Sequence, residues 1–191
     1  MKSNSLVYIF TGDGKGKTSA GLGIAIRALA AGLRVAVIQW YKDPSWRISE
    51  HQISQLLTPE ANSRFAIYPL GKGFNLKNKK TAPLSTGQVV VDKVTQSEHL
   101  QAAHEAYEKA KSLLHQVDVL ILDEINNAVS DNLINLSDAK TLIAQRDQTH
   151  LIFTGRNAHP DIIALADLVT NMTNIKHPYD QGKLAIKGLD F

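Results

Sequence analysis

Apolar residues follow two rhythms along this chain. The segments "SLVYIF", "RVAVIQWY", "VDVLILDE" and "THLIFTGR" are almost continuously apolar and bounded by polar or glycine residues, as expected of strands covered on both faces of a parallel sheet. Between them the spacing changes. In "KTSAGLGIAIRALAAGL", Leu22, Ala25, Ile26, Leu29 and Leu33 recur at helical intervals, and "SEHLQAAHEAYEKAKSLLHQ" predicts a second helix with Ser97 as candidate N-cap. "LSDAKTLIAQR" and "PDIIALA" predict shorter helices, and "DLVTNM" a last strand. From Lys42 to about Gln96 the pattern weakens: "SEHQISQLL" suggests a helix, "RFAIYPL" a short strand, and "GKGFNLKNKKTAPLSTG" a loop. No repeat or low-complexity tract interrupts this order. Strands alternating with helices predict an α/β fold, a mostly parallel sheet with helices on both faces and right-handed crossovers.

Composition narrows the classes. With 191 residues, 43% hydrophobic and 20% charged, the chain is expected to form one globular domain, with about 43–96 as a variable insertion. It has no cysteine, which excludes disulfides, thiolate metal sites and cysteine nucleophiles. The N-terminal "MKSNSLVYIF" lacks the layout of a signal peptide, and no apolar run approaches a membrane span; a cytoplasmic protein without a membrane partner is expected. The net charge is +3, and Lys72, Lys77, Lys79 and Lys80 cluster near Gly71, Gly73 and Asn78. That pattern suits a solvated or phosphate-facing loop better than a nucleic-acid groove.

The first strand runs into "TGDGKGKTS", Thr11 to Ser19. A glycine loop between strand and helix aims backbone N–H groups at phosphate oxygens, and the helix N-terminus adds partial positive charge. Gly12, Gly14 and Gly16 permit close approach, Lys17 supplies a point charge, and the Thr18 hydroxyl suits a magnesium ion shared with phosphates. One detail departs from the usual P-loop: the glycine expected at position 11 stands at 12, and Thr11 takes its place. "VLILDE" ends a buried strand on the same side of the sheet, so Asp123 is the expected magnesium partner. Glu124 either orients water or nucleotide, or caps a helix. Arg156, in "FTGR", steadies phosphate charge or makes a structural salt bridge. His177 has no histidine at metal-ligand spacing and reads as a packing or hydrogen-bonding residue. Phe74, flanked by glycine in "GKGFNL", does not fit a regular core position.

These segments together, with "FTGRNAHPDIIALADLVTNM" and the tail "IKHPYDQGKLAIKGLDF", closely resemble the P-loop corrinoid adenosyltransferases of the CobA/CobO/BtuR type. The resemblance is strong over roughly residues 6–42 and 113–191 and looser between; the variant loop and the tail are its most specific parts. It implies a RecA-like P-loop fold and an enzyme that transfers the adenosyl group of ATP to a reduced corrinoid. Cobalt(I) attacks the ribose 5′ carbon and triphosphate leaves, so no general base is required. The loop residues Thr11, Gly12, Asp13, Gly14, Lys15, Gly16, Lys17, Thr18 and Ser19, with Arg156, would hold nucleotide. Lys17, Thr18, Asp123 and Glu124 would serve catalysis, with Thr18 and Asp123 on Mg2+ (or Mn2+). The resemblance further implies a homodimer and a flavin-dependent reductase as partner.

In family members, aromatic residues form an apolar wall that helps remove the lower axial ligand of cob(II)alamin. Here Phe74 is kept, Leu76 stands where the family has tryptophan, and lysines replace acidic residues in "GFNLKNKK". Phe74 and Leu76 are therefore the expected corrinoid-facing residues, with less flat apolar area than the family offers. Two other readings are a P-loop ATPase or phosphotransferase and a non-catalytic nucleotide- or corrinoid-binding paralogue. The first leaves the variant loop and the tail unexplained; the missing tryptophan and the lysine-rich loop motivate the second.

Overall fold

A computed structural model of the chain describes residues 5–75, 81–83 and 89–190. Six strands form one sheet, all parallel, in the order β3-β2-β6-β7-β1-β8. They are β1 (Val7–Thr11), β2 (Val35–Gln39), β3 (Phe65–Pro69), β6 (Val119–Asp123), β7 (His150–Thr154) and β8 (Leu168–Asn171). Two further described strands, β4 (Thr81–Pro83) and β5 (Val89–Val91), pair antiparallel; β4 falls in the stretch expected to be loop and β5 just beyond it. The helices are α1 (Lys17–Ala30), α2 (Pro59–Asn62), α3 (Gln96–Leu113), α4 (Ile125–Ser130), α5 (Leu136–Ala144) and α6 (Pro160–Ile163). This is the α/β, P-loop NTPase-like architecture expected, with helices on both sheet faces.

Strand periodicity divides the core into two layers. Val7, Ile9, Ala36, Ile38, Leu120, Leu122, Leu151 and Phe153 pack with Ala103, Ala106 and Ala110 of α3 and with α4 and α5. The intervening residues Val35, Val37, Val119, Ile121 and Ile152 face Ala25, Ala28 and Leu29 of α1. Both neighbours of every central-strand residue are therefore buried, which is why these strands lack apolar-polar alternation.

Several local expectations shift. α3 begins two residues earlier than a Ser97 cap would allow: Thr95 is the N-cap, in a capping box with Glu98. α1 ends at Ala30, so Leu33 lies outside it, and Ile26 points away from the sheet at 49% exposure. Residues Ser49–Gln55 form a 3-10 helix instead of an α-helix. α4, "INNAVS", has too few strong helix formers to stand out in sequence and is held by buried Ile125, Asn126, Ala128 and Val129. Leu76, Lys77, Lys79 and Lys80 lie outside the described residues.

Candidate functional site

The C-terminal ends of β1, β2, β6 and β7 open onto one cleft of about 750 Å3, the side where α/β sheets bind ligands. β1 delivers the glycine loop. Thr11 is still in the strand, paired with Asn171 of β8, and its Oγ1 accepts from Ala158 N at 3.2 Å. The chain leaves the strand at Gly12, whose φ is +94°, and a Cβ there would collide with Asn171 Oδ1 and the Met172 carbonyl. The glycine stands at 12 because position 11 belongs to the strand and position 12 makes the turn against the tail. Gly14 N then donates to Met172 O at 2.8 Å, so the segment after β8 forms the floor of the loop.

Lys17 folds back across the loop, donating from Nζ to Gly12 O at 2.7 Å and Gly14 O at 2.6 Å. Burial, then the charge of Arg156, pushes its pKa below the ordinary lysine value against the pull of Glu124, Asp13 and Asp123. Lys15 is paired instead with Asp190, which brings the tail residues Gly188 to Asp190 to the mouth of the cleft. Gly16 and Ser19 line the same wall, whereas Asp13 is exposed on the outer side of the turn.

Asp123, 1% exposed, ends β6 and accepts three hydrogen bonds. Thr18 Oγ1 and Thr154 Oγ1 donate to Oδ1 at 2.9 and 2.7 Å, and Gln39 Nε2 donates to Oδ2 at 3.1 Å. Because the Thr18 hydroxyl spends its proton on Asp123, its oxygen lone pairs remain for a cation. The donors present, one hydroxyl and one carboxylate, are oxygens, which suit a hard ion that takes most of its ligands from phosphate and water, as magnesium does. Glu124, in left-handed backbone at φ 64°, is the N-cap of α4, and its N–H donates to Thr154 Oγ1 at 2.9 Å. Burial first and the Asp123 charge second push its pKa up to about 7, opposed by Lys42, Lys17 and Arg156. It holds the N-cap position without a side-chain capping hydrogen bond, and its carboxyl lines the cleft.

Arg156 follows β7 on the same rim. Gly155, at φ +121°, allows the close approach in which Arg156 N donates to Asn127 Oδ1 at 2.7 Å. The Arg156 side chain lines the cleft beside Gly155. Phe74, 57% exposed, also lines the cleft and lies against Trp46 with ring centroids 5.4 Å apart and planes at 44°. Leu22, Ile53, Leu56 and Leu189 add apolar surface to the same cleft. His177 caps a turn, its Nδ1 accepting from Tyr179 N at 3.1 Å.

The structure thus brings Lys15, Gly16, Lys17, Thr18, Ser19, Asp123, Glu124, Arg156 and Phe74 around one cleft. Leu76 falls outside the described residues. Sequence reasoning passed over Gln39, Thr154 and His51. The signal for the first was a lone amide in an otherwise apolar strand; for Thr154 it was a hydroxyl one residue before the glycine of "FTGR".

Residues 3–191 match the family model described as ATP:corrinoid adenosyltransferase BtuR/CobO/CobP. A corrinoid adenosyltransferase of Sinorhizobium sp is 33% identical over 190 residues, covering 97% of this chain and 80% of the relative. One from Escherichia coli K12 is 30% identical over 97% of this chain and 85% of its own length. Corrinoid adenosyltransferase CobA of Salmonella typhimurium is 28% identical over the whole of this chain and 88% of its own.

Proposed function

The chain belongs to the ATP:corrinoid adenosyltransferase family, and from that premise we propose that it transfers the 5′-deoxyadenosyl group of ATP to the cobalt(I) of a corrinoid, in adenosylcobalamin synthesis or salvage. The cobalt electron pair forms the bond to C5′, the C5′–O5′ bond breaks, and its electrons leave on triphosphate. No proton moves, so no side chain acts as general base.

The observation that carries this reading is one cleft lined both by the phosphate loop, Lys15 to Ser19 with Arg156, and by the apolar side chains Leu22, Ile53, Leu56 and Phe74. Loop N–H groups and Lys17 hold the triphosphate and stabilise the charge that grows on it, and Arg156 adds to that field. Lys17 exchanges the carbonyls of Gly12 and Gly14 for phosphate oxygens. Thr18 and Asp123 would hold Mg2+ or Mn2+, whose charge offsets that of the triphosphate when bound. Phe74, backed by Trp46, presents an apolar face to the corrinoid, and the segment from about residue 43 to 96 is its variable, corrinoid-facing part. Holding cobalt and C5′ in line is then a matter of proximity.

No described helix is long and apolar enough to cross a membrane. On the strength of the family resemblance, the protein works in the cytoplasm as a homodimer and receives reduced corrinoid with the help of a flavin-dependent reductase. An anaerobic reaction with ATP, magnesium and chemically reduced cob(I)alamin tests the reading. The cobalt–carbon bond of adenosylcobalamin is expected in the absorption spectrum; tight binding with no new bond would point to a non-catalytic paralogue.

A further inference from the structure

Gln39 closes β2 with no solvent exposure, the one polar side chain of that strand. Its Nε2 donates to Asp123 Oδ2 at 3.1 Å, and its Oε1 lies 2.9 Å from His51 Nε2. These contacts fix one another. A carboxylate only accepts, so the amide must turn its NH2 to Asp123, and its oxygen then requires a donor from His51. Burial lowers the His51 pKa against the opposing influence of Glu50 and a hydrogen bond to the Trp46 carbonyl. The ring thus meets two acceptors, and Nε2 must carry a proton for the Gln39 contact to form.

We propose that His51 is a positioning residue for the Asp123 carboxylate, acting through Gln39. His51 sits in the 3-10 helix Ser49–Gln55, which contributes Ser49, Glu50 and Ile53 to the cleft that the phosphate loop also lines. Through Gln39 that helix sets the orientation of the carboxylate that receives the Thr18 proton. Without His51, Oε1 of Gln39 is a buried acceptor with no donor, a cost that is relieved when the amide shifts and gives up its hold on Asp123 Oδ2. The carboxylate then keeps only Thr18 and Thr154, both on Oδ1, and turns freely about them. This inference rests on the reading of Thr18 and Asp123 as the pair that holds magnesium.

The test needs no corrinoid. ATP binding is measured by calorimetry with magnesium and again with EDTA, for the wild type, His51→Leu and His51→Gln. His51→Leu is expected to lose about tenfold of the affinity measured with magnesium, as outer partners of metal ligands do, and to keep the affinity measured in EDTA. His51→Gln, whose amide can donate to Gln39, should stay within about threefold of wild type in both conditions. Nitrogen-15 NMR of the wild-type ring should report a proton on Nε2. An equal loss with and without magnesium would mark a structural role and overturn the proposal, as would no loss, or a ring without that proton. If wild-type affinity is itself the same in magnesium and EDTA, the metal reading fails and takes the proposal with it. The wild-type titrations alone distinguish that failure from a failure of His51.

Discussion

Thr18 Oγ1 donates to Asp123 Oδ1 at 2.9 Å across 105 positions of sequence. The contact joins the first turn of α1 to the end of β6 and leaves the threonine oxygen facing the cleft. Thr18→Val keeps the shape and removes the hydroxyl, so turnover should fall by about 100-fold, whereas Thr18→Ser should stay within about tenfold of wild type. Initial rates over a magnesium titration check this, and a valine variant with normal turnover would contradict the assignment.

Among the described residues the Lys17 amine donates to the carbonyls of Gly12 and Gly14. Both oxygens sit in the glycine turn, so Lys17→Ala should leave thermal unfolding nearly unchanged. Turnover, by contrast, should drop by about 100-fold or more, because the lost charge acts on the leaving triphosphate. A thermal melt beside a rate measurement separates the two effects.

The Lys15–Asp190 ion pair holds tail residues at the mouth of the nucleotide wall. Asp190 also accepts from Ile186 N at 2.6 Å, so it closes the last turn of the tail as well. Asp190→Asn should loosen this turn and expose Lys183 and Lys187 to trypsin faster than in wild type, with the P-loop itself uncut. Equal cleavage rates would mean that the pair does not hold the tail.

Trp46 backs Phe74. If that ring pair presents the corrinoid wall, Phe74→Ala and Trp46→Ala should both slow turnover from cob(II)alamin with a reductant, by about three- to tenfold for the lost aromatic contact, and affect prereduced cob(I)alamin less. Equal losses in both assays would count against the wall role.

Arg34 and Asp118 join the start of β2 to the start of β6: Arg34 Nη2 meets Oδ1 at 2.9 Å and Nε meets Oδ2 at 3.1 Å. The Arg34 hydrogen bond first, and its charge, hold the Asp118 carboxyl below the ordinary aspartate value. Its folded pKa is thus below its unfolded one, so the pair's contribution is present above the unfolded value, about 3.9, and is lost as pH falls through the folded value. Asp118→Asn should therefore lower the urea midpoint at about pH 7, and its difference from wild type should shrink as pH falls below the unfolded value.

Much of this fold was legible because burial on both faces removes polar residues from central strands: "VAVIQ" and "VLILD" announce themselves. The phosphate loop and Asp123 were legible for a related reason, since each follows such a strand directly. Thr95 was also readable, through Glu98 three residues on, although Ser97 drew attention first. What stayed hidden depends on packing across sequence. Nothing in "SEHQISQLL" says that His51 reaches Gln39, and nothing in "KGLD" says that Asp190 meets Lys15. α4 was hidden because Asn126 and Asn127 are poor helix formers; the contacts of Asn127 with Arg156 and of Asn126 with Gly155 appear only once β7 lies beside it.

The most direct test of the central claim is the identity of the phosphate product. Phosphorus NMR of a reaction containing ATP, magnesium and cob(I)alamin under argon should show inorganic triphosphate rising in step with adenosylcobalamin, one for one. ADP and orthophosphate, with the corrinoid unalkylated, would contradict adenosyl transfer and identify the cleft as that of an ATPase or phosphotransferase.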